Sequence, residues 1–131
     1  MKLNVLVKFS LFFLVLTSLV DAALTAAGLT LFPTSLTECN PVLNGLFQYL
    51  PVIPALIVGS TLKIAAFSIY TLPALQSPYT VSEVTGKADF SLKDAYPLFA
   101  VAANYAFCAV FCAAIINNSF LLIQAFNGGF L

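Results

Sequence analysis

Residues 96–126 read YPLFAVAANYAFCAVFCAAIINNSFLLIQAF, from Tyr96 to Phe126, without one charged side chain. A run this long exceeds the roughly 20 apolar residues an α-helix needs to cross the hydrocarbon core of a bilayer. In lipid, each backbone N–H and C=O must find its partner within the segment, so the run has to be helical. No ten-residue stretches of alternating polarity occur, which argues against a β-barrel. On the C-terminal side, Gly128 and Gly129 end the helix. On the N-terminal side, Pro97 falls early in it, and Ser91 followed by Asp94 resembles a capping box with a shorter acid.

Two further stretches share this character. One covers about residues 5–31 and is broken only by Lys8 and Asp21; the other covers about 51–75 and holds Lys63. Between them, Asn40 followed by Pro41 reads as an N-cap with proline at the first helical position, so a brief interfacial helix from Pro41 towards Tyr49 is expected. Residues 76–95 are the clearly polar stretch, with Glu83, Lys87, Asp89, Lys93 and Asp94, and with Pro78 and Gly86 as turn signals. The predicted fold is all-α: one integral membrane domain over residues 1–131, with three transmembrane helices and a short interfacial helix between the first and second.

Composition leads to the same solvent. Hydrophobic residues make up 61% of the chain and charged residues 8%, against roughly 45–50% and about 25% in soluble domains. Too few polar residues remain to cover the surface of a soluble monomer. The net charge is zero, and Arg, His and Trp are absent. Without a basic patch there is no counterion release to drive nucleic-acid binding. Without His, the commonest general base and metal ligand are missing. No Ser–His, Cys–His or glycine-rich phosphate motif is found, so no enzyme activity, cofactor or metal is expected. Ser60 and Lys63 are spaced as a Ser–Lys pair, a spacing that often arises by chance.

The three cysteines cannot pair completely. Cys39 lies in the 33–49 connection, and Cys108 with Cys112 are expected to be small buried packing residues.

Lysine placement sets the orientation. Lys2 and Lys8 flank the first span, and Lys87 and Lys93 follow the second, on the same side if there are three spans. The positive-inside rule then places the N-terminus and the 76–95 loop in the cytoplasm, with the 33–49 connection and the C-terminus outside. An alternative reading of the N-terminus is a signal peptide cleaved after Val20-Asp21-Ala22. Against it, apolar character continues through Leu31.

Ionisable groups inside a membrane cost about 2.5–3.5 kcal/mol on insertion scales, so they are the informative residues. Asp21 lies roughly 18 Å deep from Phe9, and Lys63 roughly 15 Å from Pro73 on the same side, at 1.5 Å per residue. One reading is a buried ion pair fixing helix register; another is a proton or ion relay. Thr17, Asp21 and Thr25 share a helix face, and Ala22 with Ala26 gives small-xxx-small spacing. Gly59, Lys63 and Tyr70 lie near one face of the second span, and Asn104, Cys108, Phe111 and Asn118 within one sector of the third. A single polar seam of Asp21, Thr25, Lys63, Asn104 and Asn118 is expected. Alternatively, Asn117 and Asn118 sit near the outer interface.

The run Asp21-x-x-x-Thr25, then Gly28, then Glu38-Cys39-Asn40-Pro41, resembles the Asp…Thr…Glu-x-Asn-Pro signature of a family of small prokaryotic membrane proteins known only as a domain of unknown function. The resemblance covers about residues 4–75 well and the third span loosely. It implies three helices, a lysine in the second span, matched by Lys63, and asparagine late in the last, matched by Asn117 and Asn118. The chain departs from the pattern in its longer 76–95 loop and in Ser18, where an asparagine is often found. No activity follows from the resemblance. Glu38 itself reads as a charge favoured at the N-terminus of the Pro41 helix, or as a gate, with Asn40, over the outer end of the seam. The expected function is a non-enzymatic structural or accessory subunit among other membrane subunits or copies of itself. The alternative is an oligomeric ion- or proton-coupled transporter or channel using Asp21, Lys63 and Glu38.

Overall fold

The computed structural model of the chain describes residues 1–33, 41–86, 89 and 91–128. Among the described residues five helices follow one another: α1 Leu3–Leu31, α2 Pro41–Phe47, α3 Val52–Leu75, α4 Val81–Thr85 and α5 Leu92–Phe126. With 29, 24 and 35 residues, the three long helices extend about 44, 36 and 52 Å, each more than the roughly 30 Å of a hydrocarbon core. The expected all-α bundle of three apolar helices, with a short helix between the first and second, is what the chain forms.

Helix ends follow local chemistry. α2 begins at Pro41, whose fixed φ suits a first helical position. Ser91 caps α5 by accepting the Asp94 N–H at 3.3 Å, so α5 starts at Leu92, where the expected cap places it and four residues before the apolar span at about 96. Pro97 lacks the N–H that would bond the Lys93 carbonyl, a loss tolerated so close to the helix start. At the far end, Gly128 takes φ 70°, the left-handed conformation that glycine adopts without steric cost.

The polar 76–95 stretch holds a helix the sequence reading did not anticipate. α4 is closed by a capping box: Thr80 Oγ1 accepts the Glu83 N–H at 3.3 Å, and Glu83 Oε2 accepts the Thr80 N–H at 2.7 Å. Val84 holds it down, 1% exposed.

The helices pack as two compact units, each with a part of α1, α3 and α5. The first joins Met1–Leu16 to Ile64–Ala109. Its core is Val7 of α1, Ala74 of α3, and Ala100 and Val101 of α5, with Leu6 and Leu75 alongside. In this unit the N-terminal backbone pairs with the 76–95 stretch. The Leu3 N–H donates to the Tyr79 carbonyl at 3.0 Å and the Val81 N–H to the Met1 carbonyl at 3.1 Å, an antiparallel bridge between Lys2 and Thr80. The N-terminus and this loop therefore lie at the same end of the unit, as three spans require.

The second unit joins Thr17–Lys63 to Val110–Leu131. Here α2 lies against α3 at Gly59, where an added Cβ would come 2.7 Å from Leu43 Cδ2. Phe32 and Phe126 meet edge to face, with ring centroids 4.9 Å apart.

Along α5, residues 97, 101, 104, 108, 111, 115, 118, 122 and 125 are all buried or half-buried. Their spacing alternates four and three, the heptad seam of helices crossing at a small angle. Cys108 lies on this seam and is buried; position 112 falls off it, and Cys112 is exposed. The expectation of two buried cysteines therefore holds for Cys108 alone. Elsewhere the helices are apolar on the outside too: Ile69 and Ile116 are each 71% exposed. Such continuous apolar exposure suits lipid and not water.

Candidate functional site

Each unit contains one polar cluster. In the first, Asn104 of α5 is fully buried on the inner seam. Its Nδ2 donates to Ser10 Oγ of α1 at 2.9 Å, and its Oδ1 accepts the hydroxyl of Tyr70 of α3. Ser10 in turn donates to the Val7 carbonyl at 2.9 Å. The Tyr96 hydroxyl donates to the Tyr70 carbonyl. One amide thus ties three helices, as polar side chains do where lipid offers no alternative partner.

In the second unit, Asn118 occupies the same repeat position as Asn104, two heptads on. Its Nδ2 donates to Asp21 Oδ1 at 2.9 Å and lies 3.4 Å from Thr25 Oγ1. Thr25 Oγ1 donates to the Asp21 carbonyl at 3.0 Å. Asp21 lies about 15 Å in from the Leu31 end of α1, and Asn118 about 12 Å in from the Phe126 end of α5, at 1.5 Å per residue. Ser18 Oγ, one turn before Asp21, is buried without a hydrogen-bond partner.

Lys63 is half-buried on the inward stripe of α3, between Gly59 and Phe67. Its Nζ lies over the Phe111 ring, 4.9 Å from the centroid, a cation–π arrangement. It acts on the Asp21 carboxylate electrostatically, yet among the described residues the two form no ion pair within 4.0 Å. The expected direct pairing is replaced by an aromatic partner for the cation and an amide partner for the anion. Similar depth along neighbouring helices does not fix how each residue is rotated about its axis.

Of the expected seam, the structure brings Asp21, Thr25, Lys63 and Asn118 into the second unit and places Asn104 in the first, with its own partners. Pro41 opens α2 as expected; Glu38 and Asn40, with Cys39, lie outside the described residues. The sequence reading missed Ser10. Its signal was available, since Leu3, Val7, Ser10 and Leu14 repeat at heptad intervals, and all four are buried, as is Ser18 one turn further on. Among the described residues, no group of three His, Cys, Asp or Glu side chains could hold a metal ion.

The fold and these clusters define a small multi-pass helical membrane protein, with Ser10, Asp21, Asn104 and Asn118 turned towards neighbouring helices. Comparison with protein families, with curated proteins and with solved structures found no match.

Proposed function

We propose that the chain is a non-enzymatic structural or accessory component of a membrane, with the N-terminus and the 76–95 loop in the cytoplasm and the C-terminus outside. One observation carries the reading: both inner-seam asparagines of α5 are bonded to neighbouring helices, Asn104 to Ser10 and Tyr70, and Asn118 to Asp21 and Thr25. Such bonds hold helices in register and leave these amides no part in guiding a solute. The orientation rests on Lys2, Lys8, Lys87 and Lys93. On the same footing we read the chain as a relative of the three-helix family that it resembles, whose signature Asp21 and Thr25 meet at Asn118.

A second reading, an oligomeric proton- or ion-coupled transporter or channel, is favoured by the unpartnered Ser18 Oγ one turn before Asp21, whose carboxylate forms no ion pair with a described lysine. Buried polar groups with spare capacity are where water or an ion is accommodated. Liposomes containing the purified chain and a pH-sensitive dye separate the two. The expected result is no proton flux above that of empty liposomes. Robust flux that disappears in Asp21→Asn would overturn the structural reading.

A further inference from the structure

We propose that two copies of this chain associate through the outward seam of α5 formed by Val110, Ala113, Asn117 and Phe120, with the two Asn117 amides hydrogen-bonded to each other across a two-fold axis. All four residues are exposed and belong to the second unit. They are spaced three, four and three apart, the repeat that lets a second helix lie along the first at a small angle.

Asn117 is the reason for a partner. It lies about 14 Å in from the Phe126 end of α5 at 1.5 Å per residue, and a core about 30 Å thick centred on the charge-free run 96–126 still contains it. Its side chain faces out, beside Ile116 at 71% exposed and Phe120 at 58%. Its amide bonds to no described residue. Acyl chains can neither donate to it nor accept from it, and an unsatisfied amide in hydrocarbon costs several kcal/mol. Asn104 and Asn118, on the same helix, meet that requirement by bonding across helices. Asn117 faces away from the partners of Asn118, and the described residues give it none, so its amide calls for a partner on a second chain.

The seam's chemistry selects a second copy. In a two-fold interface each residue near the axis meets its own counterpart, so the patch must be complementary to itself. A carboxamide is: its N–H₂ and C=O pair with those of an identical amide. The seam carries no charge that would face its like, and Ala113, one turn from Asn117, is small enough to let two backbones approach.

The test uses the full chain, purified and reconstituted in phosphatidylcholine vesicles, with energy transfer between donor- and acceptor-labelled copies measured over a range of protein-to-lipid ratios. The expected outcome is a dimer. Asn117→Leu is expected to raise its dissociation constant roughly three- to thirty-fold, the range of interhelical polar bonds in membranes, while Asn117→Gln keeps it within a few-fold. In a background with Cys39, Cys108 and Cys112 replaced by Ala, Ala113→Cys should form a disulfide between copies, and Ile116→Cys, a quarter-turn away, should not. A wild-type chain that is monomeric at every ratio overturns the proposal and assigns the seam to a different membrane protein. Equal dissociation constants for wild type and Asn117→Leu, or equal cross-linking at positions 113 and 116, overturn it as well. The wild-type measurement stands whether or not a variant folds.

Discussion

Asn118 shows how much one side chain can decide. It donates to the Asp21 carboxylate at 2.9 Å, whereas Lys63 acts on that carboxylate without an ion-pair contact. Hydrogen bonds to charged groups contribute about 1.5–3 kcal/mol, and removing the donor leaves the carboxylate's desolvation cost opposed by Lys63 at a distance, with no direct hydrogen bond from Asn118. Asn118→Leu should therefore destabilise the fold by about 1–3 kcal/mol, and by more than Lys63→Met does. Unfolding of the detergent-solubilised chain with a denaturing detergent measures both; a larger loss for Lys63→Met would restore the direct pairing that depth alone suggested. Asp21, Thr25, Lys63, Asn104 and Asn118 could be named from sequence because polar residues are rare and costly in apolar runs. Their partners could not, because a partner depends on how each helix is rotated about its axis. For Asn104, that rotation selects Ser10 and Tyr70.

At the scale of elements, local signals were readable where they were spelled out. Asn40-Pro41 marked the start of α2, and Gly128 the end of α5. Thr80-Val81-Ser82-Glu83 has the form of a capping box and was passed over inside a stretch read as loop, although it opens α4. The backbone bridge between Lys2 and Thr80 carried no sequence signal, since main-chain pairing does not require particular side chains. It can be tested. The hydrogen bonds run from the residues flanking Lys2 and Thr80, which makes these two a non-hydrogen-bonded pair with Cα atoms about 4.5 Å apart, within reach of a disulfide. In a chain with its native cysteines replaced, Lys2→Cys with Thr80→Cys should cross-link under mild oxidation. Thr80→Cys alone should cost about 1 kcal/mol through the lost cap. No intramolecular cross-link in the folded double variant would mean that the N-terminus is not held there.

For the whole molecule, composition was the most legible property, because the solvent a chain needs follows from its total apolar surface. Lysine placement then makes orientation measurable. A single cysteine at Lys87 in the cysteine-free chain should react with a membrane-impermeant maleimide only after the cells are opened. One at Asn127, beyond the last span, should react in intact cells. Labelling at position 87 in intact cells would reverse the proposed topology. The division of the three long helices between two compact units was not legible, since the helical runs carry no glycine or proline break at Leu16, Lys63 or Ala109.

The bonds from α5 back to α1 also impose an order in time. Asn104 lies 94 residues after Ser10 and Asn118 lies 97 after Asp21. At 5–20 residues per second of synthesis, the first helix waits roughly 5–20 s for the last one. Throughout that interval Ser10 and Asp21 have no α5 amide to bond, and the Asp21 carboxylate waits first for Lys63 of α3 and then for Asn118. The ribosome completes the stabilising half of each cluster last, so a chain truncated before Asn104 lacks the means to close either one.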